Sequence, residues 1–128
     1  DTKPEAVADL KEYVNAIQKQ SAICSDTKGF IVNRLLIPYL LEACRLVERG
    51  VASIEDVDVA MKLGAGHPMG PFTLADSIGL DVINDISIGW NKAEPENPVF
   101  KPSTLIADTV AAGNLGRKTG KGFYDYSK

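Results

Sequence analysis

The sequence predicts an all-α fold, and three observations support this class. Apolar residues recur at intervals of three and four along most of the chain, which is the spacing of one helix face. Glycine, proline and serine signals divide the chain into short helical segments. Only residues 21–25 have a strand-like pattern, and no second convincing strand is found to pair with them.

Composition and charge limit the possible functions. The chain has 128 residues, enough for one domain with a core, and its 14 basic and 17 acidic residues give a net charge of −3. Binding to nucleic acid or an anionic membrane would favour a basic surface. The longest apolar run, residues 35–41, is far shorter than the roughly 20 residues that span a bilayer. We therefore expect a domain with no nucleic-acid partner and no membrane span.

The beginning of the chain predicts a helix followed by an isolated strand. Thr2 and Glu5 have the spacing of a capping box, Pro4 suits a first helical turn, and about five turns of helix should follow. A helix followed by an orphan strand is typical of the last unit of a doubly wound α/β domain. We therefore expect a fragment, with residues 1–26 as the remnant of that domain and residues 27–128 as a helical domain.

The central helix is predicted over residues 29–50, with Pro38 bending its axis. One side of the helical wheel is charged and the other is apolar: Arg34, Glu42, Arg45 and Arg49 against Leu36, Ile37, Leu40 and Cys44. Asn33 falls on the apolar side, where a buried carboxamide without partners would cost roughly 1 to 3 kcal/mol. Either Asn33 bonds a neighbouring backbone group, or it faces a ligand cleft.

The remaining segments follow from local signals. Ser53 and Asp56 cap a helix that runs to Leu63, and residues 64–71 form a fixed turn rich in glycine and proline. Further predictions are one or two helices over residues 74–90 interrupted near Gly79, a loop over residues 95–102, a last helix over residues 103–112, and an ordered tail with aromatic anchors over residues 116–126.

Several motifs give only weak evidence for nucleotide binding, catalysis or metal binding. Residues 64–70 and 116–122 depart from the dinucleotide-binding and P-loop spacings, and no strand precedes the first of them. His67, the only histidine, has no carboxylate at a fixed neighbouring spacing to orient it as a general base. Cys24 and Cys44 have the contexts of packing thiols, and no metal-ligand cluster is found. The cations Arg117, Lys118 and Lys121 are either solvated turn charges or contacts for a phosphate.

Four segments resemble one enzyme family. Residues 26–40 (DTKGFIVNRLLIPYL), continuing to Gly50, resemble the signature of the short-chain L-3-hydroxyacyl-CoA dehydrogenases, and residues 61–72, 76–81 and 116–124 extend the likeness. In that family, an NAD-binding Rossmann domain precedes a helical domain of the 6-phosphogluconate-dehydrogenase C-terminal-like type. The resemblance implies that this chain is the helical domain, preceded by the last helix and strand of a missing Rossmann domain.

The resemblance also assigns roles to individual residues. Asn33 matches the active-site asparagine that orients the acyl substrate beside a catalytic His–Glu pair. That pair belongs to the upstream domain, so we expect this fragment to be inactive alone. Lys118 matches a lysine that reaches NAD, and Gly70 and Pro71 are weaker candidates for shaping the substrate cleft.

The resemblance implies oxidation of the 3-hydroxyl of L-3-hydroxyacyl-CoA with NAD, a step of fatty-acid β-oxidation. It implies a homodimer formed through the helical domain, located in the mitochondrial matrix of a eukaryote and otherwise in the cytoplasm. Two alternatives remain. The chain is a helical dimerisation module with a structural role, or it is the same scaffold in a dehydrogenase for another substrate.

Overall fold

The computed structural model describes residues 2–127, and this range contains six α-helices, two 3-10 turns and no strand. The helices are α1 (Pro4–Ala16), α2 (Val32–Glu48), α3 (Ile54–Gly64), α4 (Pro71–Ile78), α5 (Leu80–Ala93) and α6 (Thr104–Ala111). The 3-10 turns lie at Pro98–Phe100 and Arg117–Thr119. The predicted all-α class is confirmed. The chain forms two compact units, the first ending at Phe30 and the second beginning at Ile31.

The first unit differs from its prediction in two ways. Helix α1 has 13 residues, fewer than the predicted five turns, and its N-cap is Lys3, without a side-chain cap bond. The prediction of a capping box at Thr2 is therefore wrong. Pro4, the first residue of α1, is the local signal that marks the start of the helix. Residues 21–25, predicted as a strand, have no regular secondary structure, since an extended segment without a partner forms no ladder. Cys24, predicted to pack, is exposed.

The core of the second unit is built around α2. Its buried residues occupy one face, as the helical wheel predicted: Ile37, Leu40, Leu41, Ala43 and Cys44. They belong to one cluster with buried residues of α4, α5 and α6, among them Phe72, Leu80, Ile83 and Ile106. Burial raises the pKa of the Cys44 thiol to about 12, so this cysteine stays protonated and acts as a small apolar residue.

The predicted cap at Ser53 and the predicted break at Gly79 are present. The Ser53 hydroxyl accepts a hydrogen bond from the Asp56 amide at 3.0 Å. Ser103, predicted as the first residue of the last helix, is instead the N-cap of α6, and its hydroxyl accepts from the Ile106 amide. Gly79 separates α4 from α5 with a φ of 108°, a conformation that favours glycine. These local signals separate α3, α4 and α5 close to the predicted positions, whereas α2, predicted over residues 29–50, begins only at Val32 and ends at Glu48.

The tail is ordered by a buried carboxylate. Asp76 of α4 is 1% exposed and accepts hydrogen bonds from the amides of Phe123 (2.9 Å) and Tyr124 (3.0 Å) and from the Tyr126 hydroxyl (2.9 Å). Burial, together with the bond to Asp76, raises the pKa of Tyr126 to about 12, which keeps its hydroxyl a donor near neutral pH. The predicted aromatic anchors are thus present, and Asp76 is the group that holds them.

Candidate functional site

Asn33 lies in the first turn of α2, and its side chain is exposed. Within residues 2–127, no hydrogen bond to this side chain is found. The expected burial of the carboxamide is therefore wrong, because the core begins only at Ile37, one turn further along the helix. The reading in which Asn33 bonds a neighbouring backbone group is also not supported. The carboxamide is free to donate and accept hydrogen bonds.

Asn33 stands beside an apolar surface. Exposed and half-buried side chains line a shallow depression along the start of α2: Ile31, Val32, Leu35, Leu36 and Tyr39. We call this set the α2 apolar surface. A polar amide bordering apolar side chains is the composition expected where a ligand with an apolar part and a polar reacting group binds.

His67 contacts the far end of this surface. Its Nδ1 lies 3.2 Å from the Tyr39 hydroxyl, and the two rings are in edge contact with centroids 5.5 Å apart. Burial, and secondarily the charge of Asp58, raises the pKa of Tyr39. The phenol stays neutral and does not replace the carboxylate that orients a catalytic histidine. The contact instead attaches residues 64–70 to α2.

Gly70 and Pro71, the weaker candidates for the substrate cleft, lie at a close junction between α3 and α4. Both are buried, and a Cβ added at Gly70 would lie 2.4 Å from the Asp58 Cα. Only glycine fits this approach. The Asp58 carboxylate then accepts hydrogen bonds from the amides of Phe72 (2.7 Å) and Thr73 (2.9 Å) at the start of α4. Gly70 thus packs directly against α3, and Pro71 is the first residue of α4.

Lys118 lies at a second junction, between α4 and α5. Its Nζ donates to both carboxylate oxygens of Asp81, at 2.5 and 2.6 Å. The hydrogen bond from Lys118 lowers the pKa of Asp81, so the ion pair persists through the neutral range. The neighbouring Arg117 instead stacks over the Tyr126 ring at 4.9 Å. Asn33 and Lys118 thus lie on different elements and have no bond to each other.

Sequence reasoning missed Asp58 and Asp76 as organising residues. One signal was available for Asp76: it lies four residues after the core residue Phe72 and therefore on the same helix face. No comparable local signal identifies Asp58, whose partners are 14 to 66 residues away.

In the part of the chain that the structure describes, no group of three or more His, Cys, Asp or Glu side chains is placed to hold a metal ion. None of the helices between residues 2 and 127 has the length and apolar character needed to cross a bilayer.

Comparisons with known proteins agree with the fold. Residues 29–126 match the family model described as 3-hydroxyacyl-CoA dehydrogenase, C-terminal domain. A probable 3-hydroxyacyl-CoA dehydrogenase of Caenorhabditis elegans is 56% identical over all of this chain and 43% of its own length. The mitochondrial hydroxyacyl-coenzyme A dehydrogenase of Mus musculus is 54% identical over 98% of this chain and 40% of its own length.

A solved structure gives the same answer. The crystal structure of Mycobacterium tuberculosis FadB2 superposes with a TM-score of 0.90 at 45% identity, covering 98% of this chain and 44% of that protein. The chain thus spans less than half the length of the relatives it matches. The family resemblance seen in the sequence is confirmed: the chain belongs to the 3-hydroxyacyl-CoA dehydrogenase family and matches its C-terminal domain.

Proposed function

We propose that this chain is the C-terminal part of an NAD-dependent dehydrogenase that oxidises the 3-hydroxyl of L-3-hydroxyacyl-CoA to a ketone in fatty-acid β-oxidation. Residues 27–128 form the substrate-cleft domain, and residues 1–26 are the C-terminal remnant of the NAD-binding domain. Two findings support the proposal: the match of residues 29–126 to the family's C-terminal domain, and the chain's share of its relatives' length. The catalytic His–Glu pair belongs to the upstream domain, so the 128-residue chain alone is inactive.

The free carboxamide of Asn33 is the observation that carries the proposal. It is exposed at the start of α2, has no hydrogen bond among the described residues and borders the α2 apolar surface. An amide does not titrate, and its N–H donates to an oxygen that gains negative charge. Asn33 therefore orients the reacting oxygen of the substrate, so that the carbon that loses the hydride is held within the roughly 3 to 3.5 Å needed for transfer.

Lys118 is the residue of this chain that we propose to contact NAD. Bound NAD would supply the hydride acceptor. A lysine on a glycine-rich loop suits the phosphates or ribose oxygens of a dinucleotide, because its ammonium is a point charge with three donors. Its side chain is 45% exposed, so the ammonium is accessible to such a ligand. Gly70 and Pro71 remain proposed as residues that shape the cleft through the α3–α4 junction.

The test is Asn33→Ala in the full-length dehydrogenase. We expect kcat to fall about 10- to 100-fold, the cost of losing one hydrogen bond to a developing charge. The melting temperature should stay unchanged, because the side chain is exposed and unbonded. Asn33→Asp, which keeps the shape but removes the donor, should lose activity similarly, and Asp85→Ala, an exposed control on α5, should not. Unchanged turnover in Asn33→Ala would refute the role.

We propose that the helical domain also forms the homodimer contact. Large apolar side chains are exposed on α3, among them Val59 and Leu63, which is 76% exposed. Such side chains favour an isologous interface between copies. Sedimentation of the 128-residue chain tests the dimer without touching the enzyme proposal. A strict monomer at tens of micromolar would contradict it, whereas a dimer that Leu63→Glu dissociates would support it.

The compartment and the acyl group of the substrate are also proposed. Mitochondrial relatives in mouse and human support the mitochondrial matrix if the source is a eukaryote, and the cytoplasm is proposed otherwise. The alternative is a dehydrogenase that acts on another acyl group. Measuring kcat/KM across a series of acyl-CoA chain lengths tests it.

A further inference from the structure

Lys118 belongs to a loop whose backbone is held at several points. The Gly116 amide donates to the Lys121 carbonyl at 2.8 Å, and the Thr119 hydroxyl accepts from the Leu115 amide at 2.9 Å. A Cβ added at Gly116 would lie 2.3 Å from the Asp76 carbonyl oxygen, so the loop lies directly on α4. The loop therefore presents Lys118 from a defined backbone.

The Lys118 side chain is also held at its end. Asp81, in the first turn of α5, accepts from Nζ with both oxygens, at 2.5 and 2.6 Å. A Cβ added at Gly79 would lie 3.1 Å from the same Nζ, so the absence of a side chain there leaves room for the ammonium. Asp81 itself is favoured at this position by the helix N-terminus, which stabilises a carboxylate.

This arrangement has an energetic consequence for a ligand of Lys118. A free exposed lysine loses side-chain entropy when it is fixed by a ligand. The ion pair restricts that freedom before a ligand arrives. Because an ammonium has three N–H groups and Asp81 accepts two hydrogen bonds, one N–H remains for an anionic or hydroxyl oxygen.

We propose that Asp81 is a positioning residue that holds the Lys118 ammonium ready for the phosphates or ribose oxygens of the dinucleotide, with Gly79 leaving the space for it. The inference rests on the proposed contact of Lys118 with NAD. Charge repulsion alone would make binding of a phosphate stronger when Asp81 loses its negative charge. The proposal predicts the opposite, weaker binding, because Lys118 is then no longer held in position.

The experiment measures the Kd of NADH by calorimetry for the full-length dehydrogenase and four variants. Asp81→Asn should raise the Kd about three- to tenfold, leave the KM for acyl-CoA unchanged and keep the melting temperature within a few degrees. Asp85→Asn, an equal charge change one turn further along α5, is the matched control and should leave the Kd unchanged. The double variant Asp81→Asn with Lys118→Ala should bind no more weakly than Lys118→Ala alone, since both changes remove one function.

The outcomes separate the two proposals. If Lys118→Ala weakens NADH binding and Asp81→Asn leaves it unchanged or tighter, the positioning role is overturned and the contact of Lys118 with NAD stands. If Lys118→Ala leaves the Kd unchanged, the proposed contact itself fails, and the positioning role fails with it. If Asp81→Asn weakens NADH binding but the double variant binds NADH still more weakly than Lys118→Ala alone, the two effects are independent and the inference is contradicted.

Discussion

The two parts of α2 have opposite surroundings. At the start of the helix, Val32 and Leu35 are 69% and 70% exposed, and Asn33 has no hydrogen bond among the described residues. From Ile37 onward the inner face is covered, with Leu40 only 1% exposed. The second part holds its own domain together, because its apolar side chains are buried there. The first part presents apolar area and a free amide, which are available for a ligand or another protein surface.

The comparison is tested most strongly by truncating one leucine in each part. Leu40→Ala should destabilise the chain by about 3 kcal/mol, because it leaves a cavity in the core. Leu35→Ala should cost less than about 0.5 kcal/mol, since its side chain is already exposed. Urea unfolding followed by circular dichroism measures both. Equal losses for the two variants would contradict the division of α2.

A second test extends the comparison to polar groups, using Asp76 as the bonded counterpart of Asn33. Asp76→Asn should destabilise the chain by about 2 kcal/mol, since an amide cannot accept all three hydrogen bonds from Phe123, Tyr124 and Tyr126. Asn33→Ala should leave the free energy of unfolding unchanged. Thermal and urea unfolding check both variants. A stable Asp76→Asn protein would show that the tail does not depend on this carboxylate.

The smallest effect concerns the C-terminal end of α2. Glu48 accepts hydrogen bonds from the Ser103 hydroxyl at 2.7 Å and the Leu105 amide at 3.0 Å, at the start of α6. Burial by itself would raise the pKa of Glu48, but these hydrogen bonds outweigh it and the pKa is lowered. The folded state therefore binds this proton less readily than the unfolded state. The stabilisation is present above the ordinary glutamate pKa and is lost as the pH falls through the lowered value.

Glu48→Gln should therefore cost about 1 kcal/mol at pH 7, a typical value for a helix cap, and less at pH 3. The measurement is the difference in free energy of unfolding between wild type and variant at the two pH values. Glu12→Gln, which makes the same change at an exposed carboxylate of α1, is the matched control. A difference that stays constant with pH would contradict the assigned role of the carboxylate.

Much of the fold was predictable because its signals are local. The cap at Ser53 and the break at Gly79 need only a few neighbouring residues, and both are present. The Thr2 cap failed although its spacing was suitable, since α1 begins one residue further along, with Lys3 as its N-cap. Residues 21–25 failed as a strand for a different reason: strand structure depends on a partner that local sequence does not contain.

The candidate site was predictable in part. The family signature selected Asn33 and Lys118, but the helical wheel placed Asn33 on the buried face. A wheel gives the direction of a side chain and says nothing about how far along the helix the neighbouring elements extend. The partner of Lys118, Asp81, is 37 residues away, and no spacing rule connects the two.

By itself, the sequence determined the family, the all-α class and the order of the helices, since periodicity, caps and glycine breaks act over a few residues. Only the tertiary structure decided which polar groups are bonded and which are free: Asp76 is enclosed by the tail, Lys118 is paired with Asp81, and Asn33 is left exposed. The reason is physical. Burial and hydrogen bonding depend on contacts between residues far apart in the chain, and these exist only once the helices have packed.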